Sequence, residues 1–307
     1  MFYTFFVGQV EGGKIIVYGN GMAIQLKSQI SDNLRKKLTA NLRLANRSRK
    51  ENGIREFSAA SKRRLKRLLS SFDFEALERA GYSCYFCTGT YQKDLYFEFM
   101  SPDDVKKHLK LLKDRFSYRF PDGFYLWKVE YHRSGAVHVH FLFFVVGVSY
   151  TDFLAWFEKT WIDSFKSVIR GRVAFDDERL LRMYLASTNV RYVPLRLANI
   201  ISIYINKEVG KGFRVSSVSW QGRFWGLVGR KNAQRYRLIR AFEIDPSVFF
   251  KLRRVMIAWA SLKGLKYSVH QFCAYAGLTL FSTHDFYFDL FRYLDYLLLH
   301  SDLDVDF

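Results

Sequence analysis

Residues 125–146 hold the pattern that most limits what this chain can fold into. Tyr125 to Tyr131 alternates, which puts Lys128 and Glu130 on one face of a strand and Trp127 and Val129 on the other. Arg133-Ser134-Gly135 is turn chemistry. Val137 to Val146 is almost wholly apolar, β-branched or aromatic, as a buried strand is. The segment therefore predicts an antiparallel hairpin with a buried second strand. His138 and His140 are the strong polar interruptions of that strand, and at spacing i, i+2 both rings point to one side of the sheet.

Two imidazoles on an otherwise apolar face need partners, since an unpaired buried polar group costs a few kcal/mol. A divalent cation satisfies both rings, and Glu130, across the turn, supplies an oxygen ligand from the neighbouring strand. Two His and one carboxylate leave positions open for substrate and water, the layout of a catalytic rather than a structural metal site. His132 is the alternative third ligand. The plain alternative for the pair is two core histidines bonded to backbone carbonyls or a Tyr hydroxyl.

The charge narrows the partner. Among 307 residues, 48 are Lys or Arg and 29 Asp or Glu, a net +19. Such an excess points to a polyanion, nucleic acid first and an anionic membrane surface second. No apolar run reaches the roughly 18 residues of a spanning helix, and the N-terminus lacks the layout of a signal peptide. The expectation is a soluble, cytoplasmic protein with no membrane partner. Three cysteines fit a reducing compartment. Cys84-x-x-Cys87 has no second pair to complete a zinc site, and on a strand its thiols point to opposite faces, so both read as packing residues.

In chain order, residues 1–80 read as a hairpin and a basic helical segment. Strands are expected at Phe2 to Val10 and Lys14 to Tyr18, with turns at Gly12-Gly13 and Asn20-Gly21. Arg35, Lys36, Lys37, Arg43, Arg47, Arg49 and Lys50 follow. Lys62-Arg63-Arg64 then opens an amphipathic helix with Leu65, Leu68, Leu69 and Phe72 inward. Each basic run is either a solvated face or a set of phosphate contacts. Residues 81–240 form the central domain. A strand at 82–91, extending through Leu95–Phe99, is followed by a helix capped by Ser101-Pro102 and running to about Phe116. After the hairpin come a second helix from Thr151 or Asp152 to about Phe165 and an edge-like strand at 189–195. The order predicts an α+β fold with an antiparallel central sheet flanked by helices. Residues 241–307 read as a helical C-terminal lobe.

Two later segments carry chemistry. Residues 197–211 have helical period, and Tyr204, Lys207 and Lys211 share a face. A Tyr hydroxyl with a Lys one turn away is either a nucleophile with a cation beside the phosphate it attacks, or amphipathic packing with a wet hydroxyl. Trp220 to Asn232 interleaves glycines, aromatics and cations. Arg223, Trp225 and Arg230 there suit a surface that stacks bases and pairs phosphates, or the segment is a Gly-containing strand closing the sheet.

Carboxylate, turn, His138-Val-His140, helix, strand and Tyr204-Ile-Asn-Lys207 occur in an order that resembles the HUH superfamily of single-strand endonucleases. More narrowly, it is similar to rolling-circle replication initiators of phages and plasmids, as is Gly222-Arg-Phe-Trp-Gly226. The resemblance covers roughly 82–230 and implies a ferredoxin-like palm with the 84–91 strand at the sheet centre. It implies that His138, His140 and Glu130 hold Mg²⁺ or Mn²⁺, that Tyr204 attacks the scissile phosphorus, and that Lys207 stabilises the transition-state charge. The products are a 5′-phosphotyrosine and a 3′-hydroxyl primer at a single-stranded origin. Lys211, Arg223, Trp225, Arg230, Lys62, Arg63 and Arg64 are the expected DNA contacts.

The sequence departs from the family at two points. The position shortly after the second His is apolar (Phe143, Phe144) where relatives often carry Gln. No second Tyr lies one turn from Tyr204, where Ile200 and Glu208 stand, which favours a single-Tyr enzyme. No P-loop pattern occurs, so host helicase and polymerase are the expected partners. A transposase or relaxase shares the chemistry, although in relaxases the Tyr precedes the His pair. A basic, non-catalytic nucleic-acid-binding protein is the reading from another class.

Overall fold

The computed structural model describes residues 10–18, 21–28, 36, 39–41, 43, 44, 47, 57–131, 135–172, 187–195, 220, 222–244, 246–262, 267–272 and 275–281. Contact density divides the chain into two compact units, one of residues 1–46, 69–73 and 237–307 and the other of 47–68 and 74–236.

The first unit is built on an antiparallel sheet of five strands: β1 (Val10–Tyr18), β2 (Gly21–Ser28), β8 (Ile239–Ile244), β9 (Tyr267–Phe272) and β10 (Tyr275–Phe281), in the order β8-β1-β2-β10-β9. The long helix Pro246–Leu262 packs on β1 and β2. It buries Phe249, Leu252, Met256, Trp259 and Ala260, a single stripe at helical spacing. Two expectations change here. Gly12 and Gly13 are not a turn: they pair with Lys27 and Leu26 inside β1, which takes up a register shift between Val10 and Gly12, and the reversal falls between the paired Tyr18 and Gly21. Pairing holds the glycines extended. The C-terminal region is helical over Pro246–Leu262 as expected, but 267–272 and 275–281 are strands. Their aromatic and β-branched residues find ladder partners in each other and in β2. The expected Phe2–Val10 strand lies outside the described residues except for Val10.

The second unit carries the predicted hairpin. Its strands are β3 (Tyr82–Thr90), β4 (Phe124–Tyr131), β5 (Val137–Val146), β6 (Thr188–Val193) and β7 (Trp225–Val228), all antiparallel, in the order β6-β3-β5-β4-β7. The described helices, in chain order, are α1 (Ala59–Ser70), α2 (Phe74–Arg79), α3 (Lys93–Phe99), α4 (Pro102–Arg119), α5 (Tyr150–Ile169), α6 (Arg230–Arg235) and α7, the Pro246–Leu262 helix already introduced. The four strands β3 to β6 with α4 and α5 form a split βαβ arrangement of ferredoxin-like type. The fold class is the expected one, an antiparallel sheet flanked by helices. β5 is the central strand, and β3 lies beside it rather than at the centre.

β5 is apolar because both its faces are covered, with Val137, Val139 and residues 141–145 fully buried. On one face Phe141 and Phe143 meet Phe157, Trp161, Phe116 and Phe153 from α4 and α5. Each such ring, moved from water to the interior, contributes about 1.5–3 kcal/mol. Close approach is needed where Trp161 crosses β3, and Gly89 provides it, since a Cβ there would overlap the indole ring. Helix α4 starts where Ser101 and Asp104 form a capping box with Pro102 at the first position. Helix α5 is capped by Ser149, a residue or two before the expected start.

The predicted extension of β3 through Leu95–Phe99 is helix α3 instead. β3 runs out of ladder at Thr90, which pairs with His138 near the start of β5. Beyond it Tyr91 still donates to the Val137 carbonyl, and the chain then closes into a helical turn, with the Tyr96 amide donating to Gln92 and Tyr96 and Met100 buried four apart. Among the described residues no helix is long and apolar enough to cross a membrane.

Candidate metal centre

On the sheet face opposite α4 and α5, strand register gathers the polar residues. Glu130 pairs directly with His138 and Lys128 with His140, while Thr88 and Thr90 on β3 pair with His140 and His138. Alternation puts all six on one face. Glu130 Oε2 lies 3.0 Å from His140 Nε2 and 3.5 Å from His138 Nε2. The donor atoms of Glu130, His138 and His140 all fall within 4.8 Å of one another, and all three side chains are mostly shielded from solvent.

The residues fit a divalent cation by their chemistry: two neutral-capable imidazole nitrogens and a carboxylate oxygen converge, with open positions left for other ligands. The second ring nitrogen of His140 is also held, with Thr88 Oγ1 3.0 Å from Nδ1. Metal-binding histidines are typically oriented this way. Phe86 stacks on the same imidazole at 5.5 Å between centroids.

The remaining carboxylate oxygen is taken. Lys128 Nζ lies 2.5 Å from Glu130 Oε1, and the Lys128 side chain is only 1% exposed. A Lys so deeply buried requires such a partner. Burial pulls the Lys128 ammonium below its usual range, and the Glu130 charge opposes that pull. Burial pushes the Glu130 carboxyl up, but hydrogen bonds from His138 and His140 and the Lys128 charge outweigh it, so the group stays ionised well below the usual carboxylate range. His140 is shifted down, chiefly by burial, with Glu130 opposing. Neutral imidazoles beside an ionised carboxylate are the protonation states a cation needs.

Basic residues border the centre. Lys128 and Lys62 approach the Phe57 ring at 5.7 and 5.8 Å, and Phe57 stacks on Phe224. Lys62 and Arg63 on α1 are half-buried and Arg64 is exposed. Arg223 and Arg230 are exposed. Trp225 lies on β7 opposite Lys128, half-buried, and its indole N–H donates to Ser61 Oγ at 2.8 Å. The segment 225–228 is thus a Gly-containing strand closing the sheet, and Gly226 makes room for the Trp127 indole beside it. On β6, Arg191 donates to Asn189 Oδ1, and both stand on the same face as Thr88. Tyr204, Lys207, Lys211 and His132 lie outside the described residues.

Cys84 and Cys87 are buried free thiols, both shifted up by burial, as packing residues are. The sequence reading missed Thr88 and the burial of Lys128. Only the β3–β5 register, joining residues 52 apart, brings Thr88 to His140.

No curated protein and no solved structure matches this chain. Residues 84–208 match the model of a family described as replication-associated protein ORF2, a stretch that contains the Glu130–His138–His140 centre and Tyr204 and that supports a role in DNA replication.

Proposed function

We propose that this protein is a replication initiator that nicks and rejoins single-stranded DNA at an origin. The observation that carries the reading is the convergence of Glu130, His138 and His140 on one sheet face, within a stretch similar to a replication-associated family. Glu130, His138 and His140 hold Mg²⁺ or Mn²⁺, which when bound supplies Lewis-acid polarisation of the scissile phosphate. Tyr204 is the nucleophile. Its phenolic oxygen bonds to phosphorus, the bond from phosphorus to the 3′ oxygen breaks, and the phenolic proton passes to that oxygen. A 5′-phosphotyrosine and a free 3′-hydroxyl result. Strand rejoining is the reverse step. Lys207 offers a cation to the charge that develops, since a phenol of pKa about 10 is a weak nucleophile at neutral pH.

Lys211, Arg223, Arg230, Lys62, Arg63 and Arg64 contact phosphates, and Trp225 contributes a ring face, its N–H being engaged by Ser61. The net charge of +19 supports a polyanionic partner. The chain works in the cytoplasm of a prokaryotic host, with host helicase and polymerase using the 3′-hydroxyl. The test is cleavage of end-labelled single-stranded origin DNA. Cutting in Mn²⁺ that is lost in EDTA and in a His138→Ala/His140→Ala double variant with intact DNA binding supports the reading. Binding without cutting under every metal condition favours a non-catalytic binder.

A further inference from the structure

Two residues outside the ligand set control how that set presents itself. Glu130 offers two oxygens, but Oε1 is 2.5 Å from the buried Lys128 ammonium, so one oxygen, Oε2, is turned to the imidazoles. His140 offers two nitrogens, and Nδ1 is 3.0 Å from Thr88 Oγ1, so Nε2 faces Glu130. We propose that Lys128 and Thr88 are positioning residues that hold the centre in a single-oxygen, Nε2-outward arrangement and thereby make it select a small octahedral cation over Ca²⁺. The inference rests on the metal-centre reading above and adds a specificity to it.

Ca²⁺ takes six to eight oxygen ligands and often both oxygens of a carboxylate, whereas Mg²⁺ accepts one oxygen per carboxylate in a near-ideal octahedron. An ammonium on Oε1 blocks the two-oxygen mode. The same Lys cancels the Glu130 charge, so the centre draws cations by ligand geometry more than by net charge. Thr88 answers a different requirement. Without an ion, His140 Nε2–H donates to Glu130, and Nδ1 accepts the Thr88 hydroxyl. With an ion on Nε2 the proton resides on Nδ1 and needs an acceptor. A hydroxyl serves in both states by rotating, because it is both donor and acceptor. Valine serves in neither.

The experiment is titration calorimetry of Mn²⁺ and of Ca²⁺ into the full chain, with circular dichroism to verify folding. Expected for the wild type is Mn²⁺ binding at least about tenfold tighter than Ca²⁺. Lys128→Met narrows that gap to within about threefold. Thr88→Val weakens Mn²⁺ by about ten- to a hundredfold and Thr88→Ser restores it. A Lys128→Met protein with the wild-type ratio, or a Thr88→Val protein with wild-type Mn²⁺ affinity, overturns the proposal. Should Lys128→Met and Lys128→Gln both fail to fold, the wild-type ratio and the Thr88 pair decide. A wild type that binds no Mn²⁺, or binds it as well after His138→Ala/His140→Ala, overturns the metal centre itself, an outcome distinct from the others.

Discussion

Glu130 stands directly opposite His138 on the neighbouring strand, and its Oε2 lies 3.5 Å from that residue's Nε2 and 3.0 Å from Nε2 of His140. A cation bound there ties β4 to β5 and stabilises the folded state by mass action, about 2.7 kcal/mol at a hundred times its dissociation constant. Thermal unfolding with and without Mn²⁺ therefore shows a rise of several degrees in the wild type. The rise is absent in His138→Ala/His140→Ala, while cooperative melting of both proteins without metal shows that each is folded.

The Lys128–Glu130 pair makes one ligand substitution hazardous. Glu130→Ala leaves an ammonium that is 1% exposed without its carboxylate. Removing one partner of a buried pair costs about 3–5 kcal/mol. The double variant Glu130→Ala/Lys128→Met regains most of that loss in urea unfolding. Equal stability of the single and double variants contradicts the pairing.

His108 gives the fold an acid-sensitive point away from the centre. It is fully buried between α4 and α5, with Nε2–H donating to the Trp161 carbonyl at 2.9 Å and Nδ1 accepting from the Tyr91 hydroxyl at 2.7 Å. Burial depresses its pKa to about 3, the Trp161 carbonyl opposing and Arg115 assisting. Unfolded, the ring takes a proton below about 6.5. Its contribution to stability is therefore complete above about pH 6.5, falls as pH drops toward 3, and levels off below that. The slope reaches about 1.4 kcal/mol per pH unit. Urea midpoints between about pH 4 and 7 show a pH dependence one proton shallower in His108→Gln than in the wild type.

Gly89→Ala pushes a methyl into the Trp161 indole. Overpacking of this kind costs about 1–3 kcal/mol. Trp161→Phe, itself destabilising, recovers part of the loss in the double variant, which a double-mutant cycle on unfolding free energies measures. Additive costs contradict the contact.

Local pattern carried the β4–β5 hairpin, the His-x-His face and the helix starts near Ser101 and Ser149, because alternation and capping act between near neighbours. It failed where a distant partner decides. Leu95–Phe99 is as apolar as a strand, yet β5 offers no ladder beyond Val137. Residues 267–281 are rich in aromatics that suited a helix until β2 supplied a pairing edge. Lys128 looks like a solvent-facing strand residue, and only its pairing with Glu130 makes its burial tolerable. Trp225 reads as a stacking platform from composition, and the Ser61 hydroxyl that engages its N–H lies 164 residues away.

The central claim is that Tyr204 makes a covalent bond to DNA with the help of the Glu130–His138–His140 centre. The most direct measurement is incubation of the full chain with labelled single-stranded oligonucleotides from its own replicon in Mn²⁺, followed by denaturing electrophoresis. The account predicts a protein–DNA adduct that survives denaturation and is lost in Tyr204→Phe, in His138→Ala/His140→Ala and in EDTA. An adduct that persists in Tyr204→Phe, or tight binding with no adduct from any oligonucleotide, contradicts it.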